Sequence, residues 1–381
     1  LVGVTGTNGK TTTVTLLYKL FVQLGYKCGL ISTVVNRIGR KVLDATHTTP
    51  DAISLQRLFR EMVDADVTHC FMEVSSHAIH QRRIVGSKFN VAVFSNITHD
   101  HLDYHGTFDE YIKAKKLFFD ELPTGSLALI NQDDPHGEIM VQNTRAKVNF
   151  YAIRSMADYR ARIIENQFNG LHLLLDGNDV YSRLVGGFNA YNLLAVYGTA
   201  MLLGEDKLNV LTALSQLDSV EGRFQYLSTS KKIIAIVDYA HTPDALKNVL
   251  KTIQEVRTGN EKVITVVGCG GDRDKSKRPI MAAVACEFSD KIILTSDNPR
   301  SEKPEQIIAD MNSGVEGQHY KKTLSIVDRK EAIRTACAMA EPGDILLVAG
   351  KGHEKYQEIS GERFPFDDFK IVGETLKTLE D

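Results

Sequence analysis

The segment that most narrows the possible folds lies at the start of the chain. An apolar run, Leu1 to Val4, leads into Thr5-Gly6-Thr7-Asn8-Gly9-Lys10-Thr11-Thr12-Thr13. Val14, Leu17, Phe21 and Leu24 then follow at helical spacing. This reads as strand, glycine-rich loop and amphipathic helix, the arrangement that cradles phosphate. Glycines let backbone N–H groups approach phosphate oxygens, and the helix N-terminus adds partial positive charge. Lys10 reaches the terminal phosphates, and a Thr hydroxyl ligates Mg2+. The pattern departs from the strict Walker form, because Val4 stands at the first glycine position and Gly3 lies one residue early. A turn without a ligand is the plainer alternative, but GTNGKT between a strand and a helix favours a nucleotide.

The chain's 381 residues predict two domains or more, each able to bury its own core. A net charge of −3, with acids and bases interspersed, gives no electrostatic reason to expect nucleic-acid binding. Cys28, Cys70, Cys269, Cys286 and Cys337 are scattered without a CxxC pair, as expected for buried thiols in a reducing compartment. With no apolar run of transmembrane length and no signal peptide, a soluble cytoplasmic enzyme is expected, without membrane insertion and as a monomer. The chain begins without Met at the strand before the loop, which leaves room for a preceding segment.

Apolar runs at 1–4, 28–32, 68–74 and 91–97 alternate with helical patterns, predicting a doubly wound parallel unit. Residues 126–185 read as more β-rich and polar, and Gly186-Gly187-Phe188-Asn189 opens a helix to about Leu203. A boundary near 225 follows Glu221-Gly222-Arg223-Phe224-Gln225. Beyond it, the runs 233–237, 263–267, 292–295 and 345–348 are continuous, as in strands buried on both faces. The expected fold is α/β throughout: a P-loop central domain with a parallel sheet (1–225), then a C-terminal Rossmann-like α/β domain (226–381). Each late strand runs into a polar cluster, at Asp238–His241, Gly268–Asp274, Asp297–Arg300 and Gly350–Glu354. In a parallel sheet all four would lie on the carboxyl edge, where ligands bind.

Individual residues carry further signals. Glu73 ends the run Cys70-Phe71-Met72-Glu73, where a carboxylate could hold Mg2+ opposite the loop, although a capping role is the ordinary one. His99-Asp100-His101-Leu102-Asp103-Tyr104-His105 is histidine-dense without a cysteine nearby, which favours a functional loop over structural zinc. Tyr111, Lys115, Phe118 and Leu122 share one helical stripe. Lys115 is then either a snorkelling lysine or a partly buried amine of depressed pKa, able to add CO2 and become a metal-binding carbamate. The pattern leaves both open. Asp272, Arg273, Asp274, Lys275, Lys277 and Arg278 read as a solvated loop, or else Arg273 and Arg300 form a fork for a substrate carboxylate.

Together these motifs resemble the Mur ligase family, ATP-dependent amide-bond-forming enzymes of peptidoglycan synthesis. The resemblance runs from Leu1 to about Val372 through TGTNGKTTT, MEVSSHAIHQRR, NITHDHLDYHGTFDEYIKAK, GGFNAYN, EGRFQ, VDYAHTPDAL, GCGGDRDKSKRP, SDNPRSEKPEQII and AGKGHE. It implies ATP contacts from Gly6, Thr7, Asn8, Gly9, Lys10, Thr11 and Thr12, with Asn192 on the adenine side and Arg223, Asp238 and His241 at the domain junction. It implies Mg2+ held by Thr11, Glu73, His101 and a carbamylated Lys115, with Lys10, His101 and Lys115 as catalytic groups. Thr48, Thr49, Ser75, Gln81 and Arg83 match contacts to the acceptor UDP-N-acetylmuramoyl-L-alanyl-D-glutamate. Arg273, Asp297, Asn298, Arg300, Gly350 and Glu354 match the pocket for the incoming amino acid.

The Asp-Asn-Pro-Arg form is similar to members that add meso-diaminopimelate, whose far carboxylate a guanidinium can grip. The resemblance implies an acyl-phosphate mechanism with closure of the two domains. It also implies an N-terminal UDP-binding domain with no counterpart here, so these residues alone are expected to bind ATP and hold the nucleotide-sugar poorly. His99 stands where close members carry arginine. Competing readings are a family ligase with another substrate (lysine-adding, folylpolyglutamate or cyanophycin type) and a non-catalytic nucleotide-binding regulator.

Overall fold

The computed structural model describes residues 1–45, 47–100 and 102–380. Its contacts divide the chain into two compact units, Leu1–Asp218 and a second from Ser219 onward.

The first unit is built on one sheet. Its strands are Val2–Thr5 (β1), Cys28–Ile31 (β2), Val35–Ile38 (β3), Lys41–Asp44 (β4), His69–Glu73 (β5), Val91–Phe94 (β6), Leu127–Asn131 (β7), Lys147–Ala152 (β8), Tyr159–Gln167 (β9), Gly170–Leu175 (β10) and Asn178–Ser182 (β11). Their order is β11-β10-β9-β8-β7-β6-β1-β5-β2-β3-β4. Pairing is parallel from β2 through β5, β1, β6, β7 and β8 to β9, and antiparallel hairpins extend both edges. The parallel core matches the sequence expectation. The four-residue edge strands β3 and β4 went unread because neither carries a continuous apolar run.

The helix Lys10–Gln23 differs from its expected amphipathic form. Thr11, Thr12, Thr13, Val14, Leu16, Leu17, Leu20 and Phe21 are all buried, because the helix lies between the sheet and the helix Gly187–Leu202. A helix covered on two sides carries apolar residues around most of its circumference. The helix Phe108–Asp120 keeps one inward face. Thr107 caps it by accepting from Glu110 N, Asp109 and Glu110 occupy its first turn, and Tyr111, Ala114, Lys115, Phe118 and Phe119 are buried.

The second unit holds Gln225–Ser228 (β12), Ile234–Asp238 (β13), Val263–Cys269 (β14), Lys291–Ser296 (β15), Thr323–Ser325 (β16) and Ile345–Ala349 (β17), with a small hairpin of Tyr356–Ile359 (β18) and Glu362–Pro365 (β19). The order is β12-β13-β17-β14-β15-β16, parallel except for β12. Every residue of β14 and β17 is buried, which accounts for their unbroken apolar sequence. All five cysteines are free thiols. Burial pushes those of Cys28, Cys70, Cys269 and Cys337 up to about 12, so none is a ready nucleophile. Among the described residues, no helix is long and apolar enough to cross a membrane.

Candidate active site

The glycine-rich loop leaves β1 at Thr5 and enters its helix at Lys10. It is held from behind by the residues after β6. Asn96 O accepts from Thr7 N (2.8 Å), Asn96 Oδ1 accepts from Asn8 N (2.9 Å), and Ser95 Oγ donates to Asn8 O (2.7 Å). Two of the loop's amides therefore serve its own shape, which sequence alone did not reveal. Gly9 has φ +86, and a Cβ there would lie 2.6 Å from Asn192 Oδ1. Only glycine lets the buried Asn192 pack against this turn. Asn192 also accepts from Thr13 Oγ1 at 3.4 Å.

Two lysines converge on one loop carbonyl. Lys10 Nζ donates to Gly6 O and Thr7 O, both at 2.9 Å, and Lys115 Nζ donates to Gly6 O at 2.8 Å. Lys115 is 1% exposed, so the snorkelling alternative is excluded. Burial, and after it the neighbouring Lys10 charge, hold its amine well below the usual lysine range, while Asp100 acts in the opposite direction. Depressed basicity is what an amine needs to add CO2.

Glu73 is 1% exposed at the end of β5, beside β1. Its Oε1 accepts from Thr33 N at 2.7 Å, and its buried Oε2 has no hydrogen-bond partner among the described residues. A buried carboxylate oxygen without a donor is costly unless a cation meets it, so Glu73 fits an Mg2+ role. No group of three or more His, Cys, Asp or Glu suited to a metal occurs among the described residues. His101, the other expected ligand, lies outside them. His99 stacks on Phe108, with centroids 4.2 Å apart.

The expected acceptor contacts form one connected patch beyond Glu73. Thr49 Oγ1 donates to Glu73 O (2.7 Å) and accepts from Ser75 N (3.1 Å), and Thr48 Oγ1 accepts from Thr33 Oγ1 (3.0 Å). Arg83 donates through Nη1 to Thr49 O (2.9 Å) and through Nε to Gln81 Oε1 (2.9 Å). Gln81 in turn donates to Tyr104 OH at 3.0 Å.

In the second unit, β13, β17, β14 and β15 are adjacent parallel strands that end at Asp238, Ala349, Cys269 and Ser296. Their polar clusters thus share the carboxyl edge, as expected. Near β13, Asp238 Oδ2 accepts from Phe224 N at 2.6 Å. Burial pushes Asp238 up to about 6, against the opposing pull of Arg223 and the Phe224 and Ala240 amides. Arg223 lies 4.7 Å over the Tyr239 ring, and His241 Nδ1 donates to Tyr239 O at 2.9 Å.

Beside β14 and β15, Arg273 is exposed and Arg300 half-buried, and the two flank Gly270. Arg300 Nη1 donates to Gly271 O at 2.8 Å. Asp297 and Asn298 are buried, and Asn298 Nδ2 donates to Glu354 Oε2 at 2.8 Å. Gly350 has φ +119, and a Cβ there would meet Asp297 Oδ2 at 2.5 Å. Phe224, Asp272 and Arg300 have positive φ, as do Asp66, Arg82, Asp176, Lys232 and Ser360 elsewhere among the described residues, a conformation costing about 1–3 kcal/mol.

After β14, Asp272, Arg273, Asp274 and Lys275 are exposed, as the solvated-loop alternative expects, but Arg278 departs from it. That residue is fully buried, paired with Glu302 (2.8 Å) and Asp310 (2.8 Å), and ties the loop bearing Arg273 to the segment bearing Arg300. Its pairing holds the Glu302 carboxyl down at about 2. Sequence reasoning also passed over Lys351, which is 0% exposed, and Arg329, whose fork grips Asp368 (2.9 and 2.7 Å) while donating to Ala349 O (3.0 Å). The available signal was a lone cation directly after a buried strand, Lys351, and one opening the helix Arg329–Met339.

A parallel sheet with a phosphate loop, followed by a second parallel sheet with a polar carboxyl edge, defines a two-part nucleotide-type ligase. The chain belongs to the Mur ligase family. Residues 4–200 match the Mur ligase middle domain, and residues 222–352 match the Mur ligase glutamate ligase domain. A Cytophaga hutchinsonii protein named UDP-N-acetylmuramoyl-L-alanyl-D-glutamate–2,6-diaminopimelate ligase is 62% identical over 379 residues, 100% of this chain and 78% of that protein. A Bacteroides thetaiotaomicron protein of the same name is 56% identical over 98% of this chain and 78% of its own length. A solved structure of a ligase with that name superposes with TM-score 0.69 at 37% identity, covering 100% of this chain and 78% of that one. The Thermotoga maritima MurF ligase in complex with ADP shares the fold (TM-score 0.70, 17% identity, covering 99% of this chain and 79% of that one).

Proposed function

We propose that the chain is an ATP-dependent ligase that joins meso-diaminopimelate to UDP-N-acetylmuramoyl-L-alanyl-D-glutamate in peptidoglycan precursor synthesis. The observation that carries this reading is Arg300 in the same carboxyl-edge segment as Asp297 and Asn298, with Asn298 bonded to Glu354, and relatives of 54–62% identity bearing that enzyme's name. Diaminopimelate ends in a carboxylate and an ammonium on one carbon. Arg300, which already meets Gly271 O and Glu358, suits the first and Glu354 the second, whereas lysine offers no second carboxylate to the guanidinium.

In the proposed reaction the acceptor's terminal carboxylate oxygen attacks the γ-phosphorus of ATP, forming an acyl phosphate and releasing ADP. The diaminopimelate amine, having given up a proton, attacks the acyl carbon. The tetrahedral adduct collapses with loss of inorganic phosphate, leaving the amide. Lys10 neutralises charge on the phosphates, and the loop and its helix N-terminus fix their position. Thr11, Glu73, His101 and carbamylated Lys115 would hold Mg2+, which supplies charge neutralisation for the phosphoryl group. The patch of Thr48, Thr49, Ser75, Gln81 and Arg83 orients the acceptor, and Asn192, Arg223, Asp238 and His241 serve the nucleotide. Cytoplasmic location follows from the substrates.

The test is phosphate release with Mg·ATP and the authentic acceptor across an amino-acid panel. Release with meso-diaminopimelate well above that with lysine is expected. Equal release with both, or none with diaminopimelate, would overturn the assignment.

A further inference from the structure

Beyond the residues already given roles, one buried cation sits inside the proposed amino-acid pocket. β17 ends at Ala349, and the chain turns through Gly350-Lys351-Gly352-His353-Glu354. A lysine on such a turn ordinarily extends into water. Lys351 instead is completely enclosed. Its Nζ donates to Asn298 Oδ1 (2.9 Å) and Glu354 Oε2 (3.0 Å), lies 4.0 Å from Asp297 Oδ1, and sits 5.5 Å from the Tyr356 ring centre.

These contacts constrain the pocket in two ways. Asn298 Oδ1 accepts from both Lys351 Nζ and Glu358 N (2.9 Å), so its Nδ2 is directed at Glu354 Oε2. With the ammonium gone, one of the three interactions that set the amide's orientation is lost. Glu354 Oε2 therefore accepts from two donors, while Oε1 accepts from none among the described residues. The carboxylate is thereby held by two donors, with one oxygen remaining for a donor from outside.

The other enclosed cations of this unit have different partners. Arg329 pairs with Asp368 of the helix Asp368–Glu380, and Arg278 pairs with Glu302 and Asp310. Each joins elements of the fold. The Lys351 ammonium instead meets Asn298, Asp297, Glu354 and the Tyr356 ring, and the first three belong to the proposed pocket.

We infer that Lys351 is a positioning residue for amino-acid recognition, orienting Asn298 and Glu354 so that Glu354 Oε1 accepts from an ammonium group of the incoming amino acid. This rests on the function proposed above and adds to it the residue that presets the pocket's hydrogen-bond polarity.

The test is steady-state kinetics of the full chain carrying Lys351→Met, Glu354→Gln and both, with thermal melts as the folding control. Lys351→Met should raise the KM for meso-diaminopimelate at least tenfold, leave the KM for ATP within twofold, and lower kcat much less. In the Glu354→Gln background the same change should add less than twofold, because its effect passes through that carboxylate. An unchanged diaminopimelate KM in folded Lys351→Met, or effects that multiply in the double variant, would overturn the inference. If Lys351→Met does not fold, Lys351→Gln replaces it with the same expectation. Should that also fail, Glu354→Gln alone decides: a tenfold rise in KM supports the arrangement and no rise overturns it. Absence of diaminopimelate-dependent turnover in the unaltered chain would instead remove the proposed function, and this inference with it.

Discussion

The two units present the same topological edge with different electrostatics. In the first, Lys10 and Lys115 bring two amines to one backbone carbonyl, and the neighbouring charge depresses Lys115 further. In the second, each buried cation is matched: Lys351 by Glu354 and Asp297, Arg329 by Asp368, Arg278 by Glu302 and Asp310. The Lys10 amine suits an arriving triphosphate and a carbamylated Lys115 its Mg2+, whereas a balanced edge suits a zwitterion that carries both signs. The carboxyl ends of parallel strands thus supply a location, and the side chains placed there decide what is bound.

The comparison can be broken most severely at Lys115. Lys115→Ala should lower kcat about 10³-fold or more, a loss of roughly 4 kcal/mol in transition-state stabilisation. Millimolar acetate or formate should restore part of it by supplying the missing carboxylate. A carbamate carbon signal in NMR after ¹³C-bicarbonate labelling should appear in the unaltered chain and be absent from the variant. Undiminished turnover would remove Lys115 from the account.

The balanced side predicts the next largest effect. Arg329→Met should destabilise the protein by about 3–5 kcal/mol, because it leaves the Asp368 carboxylate buried without its partner. Arg329→Met combined with Asp368→Leu should recover much of that loss in thermal melts. Equal instability of the single and double variants would argue that the guanidinium's hydrogen bonds to Ser296 O and Ala349 O matter more than its charge.

Arg300→Ala should be milder, raising the KM for diaminopimelate about 10- to 100-fold and narrowing selectivity over lysine. Kinetics with both amino acids check this, and unchanged selectivity would free Arg300 of its proposed part.

The smallest effects concern pH. Asp238 has a folded pKa raised to about 6, so it favours the folded state when protonated. Its contribution is fully present below pH 4 and is lost as pH rises through 6, with each tenfold gain in proton affinity on folding worth about 1.4 kcal/mol. His353 is pushed down to about 3, chiefly by burial and then by Arg223, so its contribution has the other sign. It is present above pH 6.5 and lost as pH falls toward 3. Melts of Asp238→Asn should therefore show stability rising more steeply between pH 4 and 6 than in the unaltered chain, and His353→Gln should flatten that rise. Superimposable profiles would deny either group a perturbed pKa.

Much of the fold was legible because parallel strands buried on both faces write themselves as apolar runs. That is why 263–267 and 345–348 marked β14 and β17. Strands β3 and β4 were not legible, since these short edge strands carry no continuous apolar run to mark them. For the site, Lys115 on an apolar stripe gave a true signal with two readings, and burial chose between them. Thr49 and Arg83 entered only through family resemblance, because their hydrogen bond joins residues with no pattern between them. Lys351 was given no role and Arg278 was grouped with a solvated loop for a related reason. A buried cation is indistinguishable from a solvated one until its carboxylates are brought to it by the fold.

The central claim is that the first unit's glycine-rich loop and its Lys10 form a receptor for a magnesium-bound triphosphate. Titration calorimetry of Mg·ATP into the unaltered chain and into Lys10→Ala tests it most directly. One site per chain, with affinity reduced at least tenfold in the variant, is the predicted result. No heat of binding in the folded unaltered chain, or equal affinity in the two proteins, would contradict it.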